Sequence, residues 1–409
     1  MSERGVVRGL HYRTSAPTAF GIEDGRFADV RAERSDVLSV RDGAASDACG
    51  AKSAPGGEAS PLIVAPGLVD LQINGYKGLD FNGGPFSPAL VHQVTRELWA
   101  QGVTSYCPTL ITNGQEQIGQ ALRTLAAACD ADVLTGLSIP GIHLEGPFIS
   151  PLDGPRGAHD AKYVRAPDLE LVKGWQEAAS GRIRLLTLSP EWPGAGALIR
   201  GCEGEGIRVS IGHTAASPEQ IREAIEAGAV MSTHLGNGMH LNVPRHPNYM
   251  WEQLAADALW ACYIGDGHHL PDAVIRVIRR VKGKRALLVS DAAHLCGMPP
   301  GRYHAHIGGD VVLTPEGRLH PSDAPGMLAG SAQLQLAALN GMIRRGLCDF
   351  AEGWDSASIH PAEALGLPAG KGLLPEAPAD FVLLERDERS GELRVRETFK
   401  AGASVYGSE

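Results

Sequence analysis

Arg208 to His240 reads RVSIGHTAASPEQIREAIEAGAVMSTHLGNGMH. Two short β-branched runs each stop at a histidine, His213 and His234, and one well-signalled helix lies between them. Ser217 suits the N-cap, Pro218 the first turn and Gln220 the third position of a capping box, while Gly228 can end the helix. The pattern predicts strand, helix, strand. In a parallel βαβ unit both strands run the same way, so both imidazoles emerge at one edge of a sheet.

Outward from this unit the same texture repeats. Strands are expected at Gly67 to Ile73, Val103 to Pro108, Ser138 to Leu144, Ile183 to Leu188, Ile207 to Ile211, Val230 to His234, Ala261 to Gly265 and Ala286 to Ser290. Helical patterns run from Pro88 to Ala100, Glu116 to Ala128, Asp168 to Ala179, Glu219 to Ala227, Asp272 to Val281 and Ala332 to Arg344. Eight strands alternating with helices argue for an α/β chain with a (β/α)8 TIM-like barrel; a doubly wound open sheet is the alternative. No GxGxxG follows the first strand, which weighs against a dinucleotide fold. Strand-like pieces at Gly5 to Tyr12, Ala19 to Ile22 and Asp36 to Val40 precede a Gly/Ala/Ser-rich loop at 42–60. The end of the chain (ADFVLLERD, ELRVRETF, ASVYG) returns to strand-like alternation, so the two ends are expected to pair into one small β domain. The domain limits expected are 62–361 for the barrel and 1–61 with 362–409 for the β domain.

Composition narrows the function classes. The chain has 409 residues, 43% of them hydrophobic, enough for a large core, and a formal charge of −10. Without a long basic run, nucleic acid is not an expected partner. No apolar run reaches membrane-spanning length and the first ten residues lack the apolar core of a signal peptide, so the expectation is a cytoplasmic protein without a membrane partner. Seven scattered cysteines, none in a CxxC pair, read as buried or bystander thiols.

Barrel chemistry sits at the C-terminal ends of the strands. Those ends carry Gln72, Asn74, Glu145, His213, His234, Asp266 and Asp291. Glu145 with His213 and His234 forms a two-histidine, one-carboxylate set suited to a catalytic divalent metal with an open position, zinc being the plainest choice. Asp291 could take a proton from an activated water and return it to a leaving amine; a helix N-cap is its alternative reading.

APGLVDLQINGYKGLDF, GIHLEGPFI with RGAH, SIGHT, STHLGN, PRHP, IGDGHH, LVSDA, MLAGS, HPAEALGL and ADFVLLE occur in this order along nearly the whole chain. Together they resemble the N-acetylglucosamine-6-phosphate deacetylases of the amidohydrolase superfamily. The resemblance implies a (β/α)8 barrel of the amidohydrolase type, a small β-sandwich domain formed by both chain ends and a homodimer. It also implies hydrolysis of an N-acetyl amino sugar phosphate to the amine and acetate.

Carried over residue by residue, the resemblance makes Glu145, His213 and His234 the metal ligands and Asp291 the general base and acid. Many amidohydrolases open with His-x-His on the first strand. Gln72-Ile73-Asn74 stands there instead, and amides are poor transition-metal ligands, so one divalent ion per subunit is expected. His159 matches a histidine at the acetyl carbonyl or sugar. Asn237 and Gly238 match a substrate-holding pair, Arg245 a phosphate-gripping arginine, and His269, with His268 beside it as an extra candidate, a phosphate contact. Leu328, Ala329 and Gly330 fall in the loop near the acetyl methyl. Gly236, Gly238, His246 and Asn248 depart from the usual pattern, all on the sugar and phosphate side. The same deacetylation of N-acetylgalactosamine 6-phosphate or of an unphosphorylated amide is therefore a second reading, and a silent scaffold a third.

Overall fold

Strands covered on both faces, by helices outside and by the filled barrel interior within, read as largely apolar runs, and the eight barrel strands are buried at almost every residue. The structure, a computed structural model, describes residues 5–34, 61–306 and 309–408. The expected strand at Asp36 to Val40, the loop at 42–60 and Cys49 lie outside the described residues. The barrel strands are β1 (Leu68–Ile73), β2 (Val103–Ile111), β3 (Ile142–Glu145), β4 (Ile183–Leu188), β5 (Arg208–Ile211), β6 (Ala229–Ser232), β7 (Trp260–Ile264) and β8 (Ala286–Val289). They are ordered β8-β7-β6-β5-β4-β3-β2-β1 in one sheet, and β2 to β8 pair in parallel. Ile73 bridges Ala292 in parallel, and the Asn74 N–H donates to the Ala292 carbonyl at 2.9 Å. This seam joins the end of β1 to the segment after β8 and makes the sheet a (β/α)8 barrel rather than an open one.

The helix Pro218–Glu226 is built as its capping signals predict. The Ser217 hydroxyl accepts the Gln220 N–H at 3.3 Å, and Gln220 accepts the Ser217 N–H at 2.8 Å. The strand expected from Ser138 to Leu144 starts later. Val133–Ser138 is helical, with the Asp132 carboxylate accepting the Thr135 N–H at 2.7 Å, so β3 begins only at Ile142. Two barrel helices carried weak sequence signals. Ala195–Gly204 starts from Gly194 in a left-handed conformation without a side-chain cap, and Tyr249–Ala255 spans only seven residues behind Asn248. An antiparallel sheet of Gly301–Ala305, Gly309–Leu313 and Leu319–Pro321, inserted after β8, was also not anticipated. Its strands are short and partly exposed, and their apolar side is covered by residues of the flanking loops, Leu295, Ala293, Met298, Ala329 and Ala332.

The described residues fall into two compact units, one drawn from Met1–Val69, Thr95–Ser105 and Cys348–Glu409, the other from Asp70–Val94 and Tyr106–Leu347. The first unit carries a seven-stranded sheet from both chain ends, in the order Ala403–Gly407, Leu393–Lys400, Phe381–Arg386, Ile63–Pro66, Gly5–His11, Pro17–Glu23 and Arg26–Ala32. Its aromatic core runs through Phe20, Phe27, Phe381 and Phe399, with the last two rings stacked at 4.3 Å. The buried Lys400 ammonium is held by Asp380 at 2.7 Å and the Ser105 hydroxyl at 3.1 Å, so the charge is paired as burial requires. All the candidate site residues lie in the second unit.

Candidate active site

Glu145 is the last residue of β3, while His213, His234 and Asp291 each stand two residues beyond β5, β6 and β8. All three have left-handed backbones, with φ of 48°, 27° and 49°. An L-residue in this region costs about 1–3 kcal/mol and persists only where its surroundings over-determine it.

The three candidate ligand atoms form a tight triangle. Glu145 Oε1 lies 2.9 Å from His234 Nε2 and 3.2 Å from His213 Nε2, and the two imidazole nitrogens are 3.1 Å apart. These edges approach the roughly 3.3 Å between ligand atoms that a tetrahedral zinc with bonds of about 2.0–2.1 Å would impose. His213 Nδ1 is 2.9 Å from the Pro155 carbonyl, which can only accept, so this nitrogen carries the proton and the Nε2 of a neutral His213 presents a lone pair. That lone pair faces a carboxylate oxygen and a second imidazole nitrogen, an arrangement a cation satisfies. The residues present therefore fit a divalent metal.

Asp291 faces this set. Its Oδ1 accepts the Asn74 amide at 2.9 Å, and Gln72 Nε2 donates to Glu145 Oε1 at 2.9 Å. The two amides at the end of β1, Gln72 and Asn74, thus each orient a carboxylate. Burial and the charge of Glu145 push the pKa of Asp291 up to about 6. Beneath the ligands runs a polar network that sequence reading missed. His143 joins the Leu71 carbonyl at 3.1 Å and the Thr187 hydroxyl at 2.8 Å, Thr187 meets Thr233 at 2.7 Å, and Thr233 meets Ser210 at 2.6 Å. The only sequence signal for it is a hydroxyl or imidazole in otherwise apolar barrel strands.

His159 is buried, with Nε2 3.2 Å from His213 Nε2, and burial pushes its pKa down to about 3. Gly157 and Gly238 flank the His213 ring with φ of 60° and 58°; an added Cβ would stand 3.2 Å from its Cε1 at Gly157 and 2.8 Å from its Nδ1 at Gly238. Asn237 folds back, its N–H donating to the His234 carbonyl at 2.9 Å. His269 donates through Nδ1 to Asp266 Oδ2 at 2.7 Å, whereas the His268 ring lies 3.2 Å from the Glu316 carbonyl. Burial opposes ionisation of Asp266, yet His269 and the backbone N–H groups of 268 and 269 hold it down at about 2. Gly330 packs 3.1 Å, from its would-be Cβ, against Ala293, and the Ala293 N–H donates to the Ser331 carbonyl at 2.9 Å, so the loop with Leu328 and Ala329 borders the Asp291 segment. Arg245 is not drawn into this cluster: it is exposed and makes no ion pair among the described residues.

Comparisons agree with this geometry. The sequence profile of the Amidohydrolase family matches residues 63–405. An N-acetylglucosamine-6-phosphate deacetylase of Danio rerio is 33% identical over 365 residues, covering 84% of each chain. An N-acetylgalactosamine-6-phosphate deacetylase of Escherichia coli O157:H7 is 30% identical over 329 residues, covering 79% of this chain and 84% of the relative. A mutant N-acetyl-D-glucosamine-6-phosphate deacetylase from Mycobacterium smegmatis, solved in complex with N-acetyl-D-glucosamine-6-phosphate, superposes with a TM-score of 0.78 at 27% identity, covering 98% of this chain and 99% of that one. With its profile, its relatives and a barrel whose strand ends gather Glu145, His213, His234 and Asp291, the chain belongs to the amidohydrolase family, in the group of the N-acetylglucosamine-6-phosphate deacetylases.

Proposed function

We propose that this enzyme, a hydrolase of carbon–nitrogen bonds, removes the acetyl group of N-acetyl-D-glucosamine 6-phosphate to give D-glucosamine 6-phosphate and acetate. The observation that carries the reading is the convergence of three candidate ligand atoms, from Glu145, His213 and His234, with Asp291 set against them. We take the metal to be one zinc ion per subunit in the catalytic centre; when bound by these three residues it supplies the positive charge that polarises the acetyl carbonyl and lowers the pKa of water.

The protein's own groups do the rest. Asp291, held by Asn74, accepts a proton from the attacking water and delivers it to the departing amine nitrogen, so that the C–N bond breaks with a neutral leaving group. His159 offers its ring to the acetyl oxygen as charge develops there. Gln72 orients Glu145. Asn237 and Gly238 hold the sugar, the 328–330 loop borders the acetyl methyl, and Arg245 with His269 takes the phosphate, for which an exposed guanidinium fork is available.

We propose 62–361, which contains all these residues, as the catalytic span, with 1–61 and 362–409 as the β domain. The functional unit is proposed to be a cytoplasmic homodimer; among the described residues, no helix is long and apolar enough to cross a membrane. The test is acetate release by metal-replete protein from N-acetylglucosamine 6-phosphate, its galacto epimer and N-acetylglucosamine. The expected result is the highest kcat/KM on the first, and no acetate from either phosphate would overturn the reading. A second reading, in which the galacto epimer is preferred, is favoured by the Escherichia coli relative and by Gly236 and Gly238 on the sugar side.

A further inference from the structure

Outside the catalytic set, a second group of metal-type side chains converges from three separate segments. Asp80 ends the short hairpin of Gly75–Tyr76 and Leu79–Asp80 that follows β1, His294 stands three residues beyond Asp291, and His306 follows the strand Gly301–Ala305. Asp80 Oδ2 is 3.0 Å from His306 Nδ1 and 3.4 Å from His294 Nδ1, and one ligand atom from each residue lies within 4.8 Å of the others.

Three features suit this cluster to a cation. Asp80 is pre-oriented, because its Oδ1 accepts the Asn82 N–H at 2.8 Å and leaves Oδ2 for a second partner. His294 is fixed through its backbone, whose carbonyl accepts the Gly78 N–H at 2.7 Å. Space is kept in front of the carboxylate: a Cβ on Gly83 would stand 2.6 Å from Asp80 Oδ2 and 3.5 Å from His306 Nδ1. The Asp80 and His294 side chains are 16% and 15% exposed and that of His306 is 29% exposed, so a hydrated ion can reach the group from one side.

We propose that Asp80, His294 and His306 form a second divalent transition-metal site, separate from the catalytic set, with water completing the coordination. Two imidazoles and one carboxylate suit zinc, nickel or copper. The two Nδ1 to Oδ2 distances bracket the roughly 3.3 Å expected between ligands of a tetrahedral ion. The site joins the hairpin after β1, the loop carrying Asp291 and the inserted three-stranded sheet, so an ion bound there is a clip across segments far apart in sequence. The competing account is a pair of His–Asp hydrogen bonds to one oxygen with no affinity for metal.

The test is zinc stoichiometry, by elemental analysis of full-length protein equilibrated with zinc, alongside thermal melting. Wild type should hold one equivalent beyond the catalytic one. His306→Ala, which removes the most exposed ligand, and Gly83→Ala, which keeps every ligand but fills the space, should lose that equivalent and the zinc-dependent rise in melting temperature while retaining the catalytic equivalent. Zinc-edge anomalous scattering from wild-type crystals reads the same site without a variant and should show a peak between the three side chains. A single equivalent in wild type at saturating zinc, no anomalous peak there, or two equivalents retained in His306→Ala would overturn the proposal.

Discussion

Replacing Asp291 by asparagine isolates one proton acceptor and leaves its surroundings nearly untouched. The residue sits at φ 49°, a left-handed conformation that asparagine tolerates about as well as aspartate, whereas alanine would add a backbone cost of about 1–2 kcal/mol. The asparagine carbonyl can still accept the Asn74 amide that now reaches Oδ1 at 2.9 Å. None of the three converging ligand atoms belongs to Asp291, so the catalytic metal should remain. What is lost is the group that moves a proton, and general acid–base catalysis is worth about 10²–10⁴-fold, or roughly 3–5 kcal/mol of barrier. The assay is acetate release from N-acetylglucosamine 6-phosphate by wild type and Asp291→Asn at matched metal content. The expected result is a fall in kcat of that size with KM little changed. Turnover within a few-fold of wild type, with the metal in place, would refute the proton-transfer role.

Arg245→Ala should lower kcat/KM for the 6-phosphate by about 10- to 100-fold, the worth of a charge-assisted hydrogen bond, and leave the unphosphorylated sugar unaffected; an equal loss on both would show that the guanidinium does not read the phosphate. Gly238→Ala places a methyl 2.8 Å from His213 Nδ1 at a φ of 58°, so the ring must shift, and metal affinity measured by competition with a chelator should drop about 10- to 100-fold. Burial raises the carboxyl of Asp70 to about 7, with one oxygen accepting the Ser290 and Gln72 N–H groups and the other without a partner among the described residues. A raised folded-state pKa stabilises below the unfolded value, and that contribution is lost as pH rises from about 4 to about 7, at most about 4 kcal/mol at 1.36 kcal/mol per pKa unit. Denaturant melts of Asp70→Asn should lack that slope, and an unchanged pH profile would contradict it.

Much of the scaffold is local information and was legible along the chain. A capping box is written within four residues, and Ser217 with Gln220 forms it as read. A doubly covered strand is an apolar run, and all eight runs became strands of one sheet. Elements without such signals were not legible: the helix behind Gly194 has no side-chain cap, and the inserted sheet depends for its apolar cover on residues of the flanking loops. The two histidines, Glu145 and Asp291 were visible as residue types at strand ends, because a barrel puts strand ends at one rim whatever the loops do.

By itself, then, the sequence determined the alternation, the rim residues and the kind of chemistry they suit. Only the tertiary structure decided that His213 Nδ1 is committed to the Pro155 carbonyl, so that its other nitrogen must face Glu145 and His234 as a lone pair. It also accounts for a glycine at 238, where the His213 ring occupies the space a side chain would take, and it brings Asp80, His294 and His306 together. The physical reason is common to all three: hydrogen-bond direction, excluded volume and ligand convergence are properties of atoms close in space, and the residues that supply them are separated by tens to hundreds of positions along the chain.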